Sequence, residues 1–337
     1  MRNGSRNSRR LQPAAVAMAF AAALLQTACM TNGISSNFDR TLKVDGPVRL
    51  DIAAGSGKIV VRGGAPGTVR IHGEVRGGGF LLSGRSRRAE DVADNPPIEQ
   101  NGNSIRIGRR SYGEPLFSWI SISYTIETPA DTEVKAKNGS GGIQLSGVKE
   151  PVTLGSGSGT IVVEDAGDDV TLTVGSGGAK ASHVGGKVSF ECGSGNVTLD
   201  DVRDEIRGST GSGGIEIGRA RGRVNVHTGS GWIRIQGTTQ DVRAGASSGN
   251  VEVSGNPAAD AFWDLGTKSG RIELTVPAGA SFSLTARTSS GNVQAGLPIM
   301  IEEQSRRLLR ARVGEGKAHV NLQTSSGSIR IVQGGAS

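Results

Sequence analysis

The sequence predicts an all-β fold, a parallel β-solenoid (β-helix) of roughly ten coils with an 18-residue period and irregular capping segments. Three observations support this prediction. A Ser-Gly pair recurs every 18 residues from Ser140 to Ser248. Apolar and polar residues alternate directly after each pair, as in a strand with one buried face. The composition, with 53 glycines and 4% aromatic residues, favours a thin repetitive core over a conventional bulky one.

The first strand of each period follows the Ser-Gly pair. Its positions three and five after the serine are apolar, and the position between them is mainly polar. The motif loosens after Ser248, and its last copy, at Ser326, follows a gap of two periods with one motif missing. Ser56 begins an early outlier of the same motif. The first inward column comprises Ile143, Ile161, Ala179, Val197, Ile215, Ile233, Val251, Ile272, Val293 and Ile329.

A second short strand follows in each period. Two such strands cannot bury their apolar faces alone, so we expect each period to form one coil that stacks on the next at about 4.8 Å. The open ends of the rod would be unpaired strand edges. We expect the segments 76–119 and 298–316 to cover them. The inward column of the second strand comprises Val152, Val170, Val188, Ile206, Val224 and Val242.

The N-terminal residues follow the layout of a secretory signal, with a basic start, an apolar run from Ala14 to Leu25 and small residues before Cys29. The end of this run resembles the lipobox of bacterial lipoproteins, although Gln26 stands where leucine is usual. This resemblance implies lipidation of Cys29 and a lipid anchor at the outer membrane. Ordinary cleavage near Ala28, giving a periplasmic or secreted protein, is the alternative.

These features predict a division of the chain into five parts. They are a signal peptide (1–28), a tether (29–40), an N-terminal β region and cap (41–130) with an irregular insertion (76–118), the solenoid repeats (131–332) and a tail (333–337).

Recurrent Thr-x-Ser-Gly-x-Ile/Val motifs, such as those that begin at Thr288 and Thr324, carry a family resemblance. Two further blocks share it, one from Tyr124 to Ala130 and one from Leu274 to Ala280. Over residues 38–332 the chain resembles the DUF4097 type, a bacterial adhesin-like β-solenoid family of unknown function. The resemblance implies a solenoid with an adhesin-like surface and implies no catalytic residues.

The formal charge of +7 is largely a property of the signal. Four arginines and no acidic residue precede Cys29, so the remainder has 34 basic residues against 31 acidic ones, a formal charge of +3. A nucleic acid partner therefore loses its compositional support.

Charged residues at the coil corners are candidates for surface contacts or for catalysis. Equivalent acids two coils apart would lie about 9 to 10 Å from one another, near the carboxylate spacing of inverting glycosidases. An intervening Lys187 and His183, and a following basic corner, favour instead an alternation of charge on a solvated edge. The candidate contacts are Asp165, Asp168, Asp201, Asp204, Arg219, Arg221 and Arg223.

Other side chains have a structural interpretation beside a functional one. Trp232 follows a Ser-Gly pair and is expected to project from a corner as a contact residue. Cys192 stands in a column of small residues, which favours a structural thiol over a nucleophile. The four histidines lack metal-ligand spacing, and we expect no metal and no cofactor. Clustered aromatics suggest glycan stacking or, preferably, an N-terminal cap; they are Phe80, Tyr112, Phe117, Trp119 and Tyr124.

The sequence therefore predicts a non-enzymatic protein of the cell envelope. Its solenoid would serve as an adhesin-like binding or scaffolding surface for an envelope or host glycan or protein. One alternative is a carbohydrate-active enzyme, a polysaccharide hydrolase or lyase, that uses the acidic corners. Another is an accessory protein of envelope stress or signalling.

Overall fold

The computed structural model describes residues 35–77, 84–108 and 120–334. Cys29, the signal peptide, Phe80, Tyr112, Phe117 and Trp119 lie outside these residues. The N-terminal part contains β1 (Ser35–Lys43), β2 (Val48–Ala54), β3 (Ile59–Gly64), β4 (Thr68–Gly77), α1 (Gly84–Asp94), β5 (Ile98–Asn101), β6 (Ser104–Gly108) and β7 (Ile120–Pro129).

The regular repeats alternate between two sheets. They contain β8 (Thr132–Asn138), β9 (Ile143–Ser146), β10 (Val152–Ser156), β11 (Ile161–Ala166), β12 (Val170–Val174), β13 (Ala179–Val184), β14 (Val188–Cys192), β15 (Val197–Val202), β16 (Ile206–Thr210), β17 (Ile215–Arg219), β18 (Val224–Ser230), β19 (Ile233–Thr238), β20 (Val242–Ser248), β21 (Val251–Gly255), β22 (Phe262–Ser269) and β23 (Ile272–Val276).

The C-terminal part departs from this alternation. It contains β24 (Phe282–Ser290), β25 (Val293–Gly296), β26 (Met300–Gln304), β27 (Leu308–Val313), β28 (Ala318–Ser326) and β29 (Ile329–Gln333). In the described residues, sheet A has 14 strands and begins with β1, β4, β7, β3 and β9, whereas sheet B has 15 strands and ends with β8, β2, β6 and β5.

Each period of the regular repeats forms one parallel coil, as the sequence predicts. Ile161 pairs with Ile143 on one side and with Ala179 on the other, so a column of the repeat becomes a ladder across sheet A. In sheet B, Val152 pairs with Val170 in the same way. Both inward columns are almost fully buried through these coils, because each sheet covers the inner face of the other.

The motif at Ser56, an outlier in the sequence, belongs to the rod. Strand β3 pairs with β9 through Ile59 and Ile143, and β2 pairs with β8 through Leu50 and Val134. The coil made by β2 and β3 therefore stacks directly on the coil that contains Ser140. The described residues between the two coils form β4, α1, β5, β6 and β7 at this end of the rod.

The start of the rod is covered by regular elements, where the sequence predicted an irregular segment. Helix α1 packs against β1 and β4 and buries Ala89 and Ala93. Strand β1 adds to β4, and β5 adds to β6, each in antiparallel fashion. These elements place a cap on the first coil.

The last coil is not last in space, which corrects the interpretation of a missing motif. Strand β28 lies between β22 and β24, and β29 lies between β23 and β25. The chain thus leaves a gap of one strand between β22 and β24 and between β23 and β25. It later fills these gaps with β28 and β29. The gap between Ser290 and Ser326 contains an antiparallel hairpin, β26 and β27, attached to β24.

This hairpin extends sheet B beyond sheet A and forms the far end of the rod. Val293 and Ala295 occupy columns that are fully buried in the central coils, yet both are only partly buried here. In the parts of the chain that the structure describes, no helix is long and apolar enough to cross a bilayer.

Candidate functional site

Three residues of one corner adopt the left-handed backbone conformation in successive coils. Asp165, His183 and Asp201 have φ values of 53°, 53° and 51°. Aspartate and histidine are among the non-glycine residues that tolerate this region, in which the corner can turn. The Nδ1 atom of His183 lies 3.3 Å from an Oδ1 atom of Asp165. The corner thus stacks carboxylate, imidazole and carboxylate along the rod.

Asp168 and Asp204 shape the next turn. The Oδ1 atom of Asp168 accepts a hydrogen bond from the backbone N–H of Asp169 at 2.7 Å. Asp204 accepts the equivalent bond from Glu205, also at 2.7 Å. The two aspartates therefore have the same local task two coils apart, because each satisfies a backbone donor in the turn.

The basic corner is neutralised by acids of neighbouring coils. Arg219 contacts Asp200 at 2.9 Å, and Arg221 contacts Asp201 at 2.9 Å. Arg223 lies 3.7 Å from Asp241. The structure brings these predicted site residues together as ion pairs on a solvated edge, where each pair contributes little to stability.

Asp200 is held in its ionised form. Partial desolvation raises the pKa of its carboxyl, but hydrogen bonds from the backbone and guanidinium of Arg219, together with the charge of that guanidinium, outweigh this effect. The pKa of Asp200 therefore lies below its ordinary value. A carboxyl with a lowered pKa is a poor proton donor near neutral pH, which is the opposite of what a glycosidase acid needs.

Trp232 lies against the rod and is partly exposed. Its indole covers Gly214 of the preceding coil so closely that a Cβ atom at Gly214 would collide with the ring. The guanidinium carbon of Arg234 lies 5.5 Å from the ring centre. Trp232 is 38% exposed, so one face of the indole is packed and the remainder is available for contact.

Cys192 is buried in the column that the sequence indicates. Its thiol lies 3.5 Å from the carbonyl oxygen of Gly177 and 3.4 Å from that of Gly195. Hydroxyls in the same column make equivalent bonds, for example from Thr228 to Gly213 at 3.0 Å. Cys192 therefore sits in a ladder of small side chains that donate to turn carbonyls.

Tyr124 is buried, which removes it from any glycan-stacking surface. Its ring meets that of Phe38 edge to face, with centroids 6.4 Å apart. Burial also raises the pKa of its hydroxyl. Among the described residues, no group of three or more histidine, cysteine, aspartate or glutamate side chains is placed to hold a metal ion.

A groove on the outer face of sheet B was missed by the sequence interpretation. It has a volume of about 490 Å³ and crosses β12, β14, β16 and β18. We call it the outer groove and define it by its polar side chains, which are Thr171, Thr173, Ser189, Glu191, Arg207, Ser209, Asn225 and His227. The repeat predicts that these polar residues face outward, but the groove itself depends on the conformations of the larger side chains.

Two features of neighbouring strands open the outer groove. A Cβ atom on Gly245 would lie 3.0 Å from Nδ1 of His227, so the imidazole lies over Gly245 and turns away from Ser209. Arg207 is drawn to Glu205 at 2.9 Å. Ser189 and Ser209 therefore form a low floor between taller polar side chains. In the sequence, the only signal of the outer groove is a pattern of small residues between charged ones.

The profile of the family Toastrack DUF4097 matches residues 87–332. The chain belongs to the Toastrack DUF4097 family. The resemblance and the β-solenoid fold predicted from the repeat are both confirmed. No curated protein matches the chain significantly.

Several solved structures are distantly similar to the Toastrack chain. A candidate adhesin from Bacteroides fragilis is 16% identical, with 72% of this chain and 97% of that one covered and a TM-score of 0.35. A candidate lipid-binding protein from Parabacteroides distasonis is 12% identical, with 90% and 98% covered and a TM-score of 0.40. A candidate adhesin from Parabacteroides merdae is 10% identical, with 90% and 97% covered and a TM-score of 0.33.

Proposed function

We propose that this Toastrack protein is a non-enzymatic, adhesin-like binding module of the cell envelope, and that its outer groove holds a glycan chain. The observation that carries the proposal is the groove itself. It runs across four successive strands, about 14 Å at the usual strand spacing. It is open along the surface of the rod, as an extended chain requires.

The lining of the outer groove suits a polyhydroxylated ligand. Hydroxyls of Ser189 and Ser209 can donate and accept hydrogen bonds, and the amide of Asn225 does both in a fixed plane. Glu191 accepts, and Arg207 donates. A sugar chain presents the same mixture of donors and acceptors, so its hydroxyls can replace bound water with equivalent hydrogen bonds to the groove.

The corner residues support a structural role over catalysis. Arg221 pairs with Asp201, and Arg219 lowers the pKa of Asp200, so two of the corner acids are engaged by arginines. Asp168 and Asp204 are engaged by turn N–H groups. The carbohydrate-active enzyme is therefore the weaker proposal.

The envelope location rests on the sequence of the N-terminal segment. Lipidation of Cys29 would anchor the chain, and the part of the predicted tether that precedes β1, from Cys29 to Ser35, can span at most about 20 Å. The start of β1 would then lie close to the membrane. Replacement of Cys29 by alanine should abolish palmitate labelling and release the protein from membranes, whereas unchanged labelling would rule out this anchor.

A binding screen tests the glycan proposal. The mature protein would be titrated against a panel of envelope and host glycans, with Ser209→Trp as the blocking variant because an indole would fill the floor of the outer groove. Thr198→Trp, on the outer face of sheet A, is the matched control. We expect the blocking variant to lose at least tenfold in affinity and the control to match the wild type. Absence of binding across the panel, equal binding by both variants, or release of reducing ends would overturn the proposal.

A further inference from the structure

The far end of the rod exposes apolar side chains on its last strand. Strand β26 is the outermost strand of sheet B, and all of its residues are exposed. Met300 is 68% exposed and Ile301 is 52% exposed, the highest values among the large apolar residues that the structure describes. Apolar residues of this size are buried in the columns of the central coils. The exposure of Met300 and Ile301 therefore indicates a contact surface.

Unpaired arginines lie at the opposite end of β26 from these apolar residues, where the strand turns into β27. Arg306 and Arg307 occupy the turn that joins β26 to β27, and both are exposed. Arg287 lies next to this turn, because it pairs in register with Leu308 and the N–H of Thr288 donates to the carbonyl of Arg307 at 2.9 Å. We call Met300, Ile301, Arg287, Arg306 and Arg307 the terminal edge.

The charge of the terminal edge is not cancelled by its acids. Glu302 is held by Arg312 at 3.0 Å, and Glu303 is held by Arg310 at 2.9 Å. In the described part of the chain, none of the three arginines of the terminal edge forms an ion pair, whereas those of the Arg219 corner are all engaged. The terminal edge therefore presents two exposed apolar side chains at the start of β26 and three free guanidinium groups at or next to the turn that follows the strand.

This combination has a specific physical match. Guanidinium groups are attracted to a negatively charged lipid surface, and apolar side chains at the same end of the rod can enter the boundary between headgroups and acyl chains. A soluble polyanion would use the arginines and leave Met300 and Ile301 in water. A neutral apolar partner would leave the arginines without a counterion.

We propose that the terminal edge docks on an anionic lipid bilayer. The contact lies at the opposite end of the rod from β1, the first described strand after Cys29. The 15 described strands of sheet B make the rod about 65 Å long at the usual strand spacing. If Cys29 is lipidated, as proposed above, the rod has one lipid contact at each end and can hold two membrane surfaces at this separation.

Vesicle binding tests the terminal edge independently of the lipid anchor and of the outer groove. The mature chain carrying Cys29→Ser would be sedimented with phosphatidylcholine vesicles that contain or lack phosphatidylglycerol. We expect binding to the anionic vesicles only, and loss of that binding at high salt. Each arginine near an anionic surface changes binding about fivefold, so Arg306→Gln with Arg307→Gln should weaken it by more than tenfold.

Matched variants separate the terminal edge from general charge. Met300→Ser with Ile301→Ser should also weaken binding, because the apolar contact is lost. Lys180→Gln with Arg203→Gln removes the same charge from the middle of the rod and should leave binding unchanged. Equal losses in both charge variants, equal binding to neutral vesicles, or retention by the Met300 and Ile301 variant would overturn the proposal. Preference for soluble dextran sulfate over vesicles would also overturn it. Unchanged melting temperatures of the variants show that folding is intact.

Discussion

The ring of Phe190 occupies the space that Gly208 leaves open in the next coil. The two residues pair in register in sheet B at a position that is apolar in the other regular coils. A Cβ atom on Gly208 would lie 2.5 Å from Cγ and Cδ1 of Phe190 and 2.5 Å from its backbone oxygen. The large and the small residue therefore fill one volume together, directly beneath the outer groove.

This relationship predicts that the cost of a larger residue at position 208 depends on the size of residue 190. Gly208→Val should lower the free energy of unfolding by about 1–3 kcal/mol through overpacking. In a chain that also carries Phe190→Ala, which removes Cγ and the ring, the added cost of Gly208→Val should be smaller, and the contact with the backbone oxygen should account for the remainder. Urea denaturation of the two single variants and the double variant measures the coupling, and simple additivity would contradict shared packing.

Cys192 should be replaceable by the residue that dominates its column. In Cys192→Thr, a hydroxyl takes over the bond to the Gly177 or Gly195 carbonyl, as Thr228 does with Gly213. We expect its stability to stay within about 1 kcal/mol of the wild type. Cys192→Leu should cost about 1–3 kcal/mol, because the column has no room for it. A reactive role for the thiol would instead appear as a loss of function in the threonine variant.

Asp200 should make the protein less stable in acid. Desolvation raises the pKa of Asp200, but the hydrogen bonds and charge of Arg219 lower it by more. The pKa in the folded protein therefore lies below the pKa in the unfolded chain. The resulting stabilisation is present above the unfolded pKa, near 4, and is lost as the pH falls through the folded pKa. Melting temperatures of the wild type and Asp200→Asn should therefore converge as the pH falls below about 4. A difference that grows with acidity would contradict this assignment.

The remaining chain should keep its fold without the inserted last coil, which β28 and β29 form. Strands β22 and β24 present the same columns to β28, as Trp263, Val320 and Leu284 show. A chain that ends after Glu315 should stay folded, with β24 paired directly to β22. Its stability should fall by several kcal/mol, because the apolar residues of β28 and β29 no longer contribute burial.

Engineered cysteines can report this rearrangement. Ser269 and Ser290 each pair with Ser326 in the full chain and are separated by it. In the shortened chain they become neighbours, within the range that a disulfide can bridge. Oxidation of Ser269→Cys with Ser290→Cys should give a crosslink only after truncation. An unfolded fragment, or crosslinking in the full chain as well, would contradict the prediction.

Much of the fold could be predicted because the repeat is local. Three positions after each serine, an apolar residue must enter the core, and this holds from Ile143 to Ile272. Cys192 was placed correctly in a buried column for the same reason. The candidate site was less accessible, because the sequence shows that Arg219 and Asp200 are charged but not that their side chains meet.

The sequence by itself determined the periodicity, the inward columns and the two sheets, because these follow from spacing within one period. Only the tertiary structure decided which coils are neighbours. The coil of Ser56 joins that of Ser140, and β28 inserts between β22 and β24. Coils with the same motif present nearly the same columns, so local pattern cannot choose among them. The choice depends on which strand edges are free, and it also leaves Met300 and Ile301 uncovered at the far end of the rod.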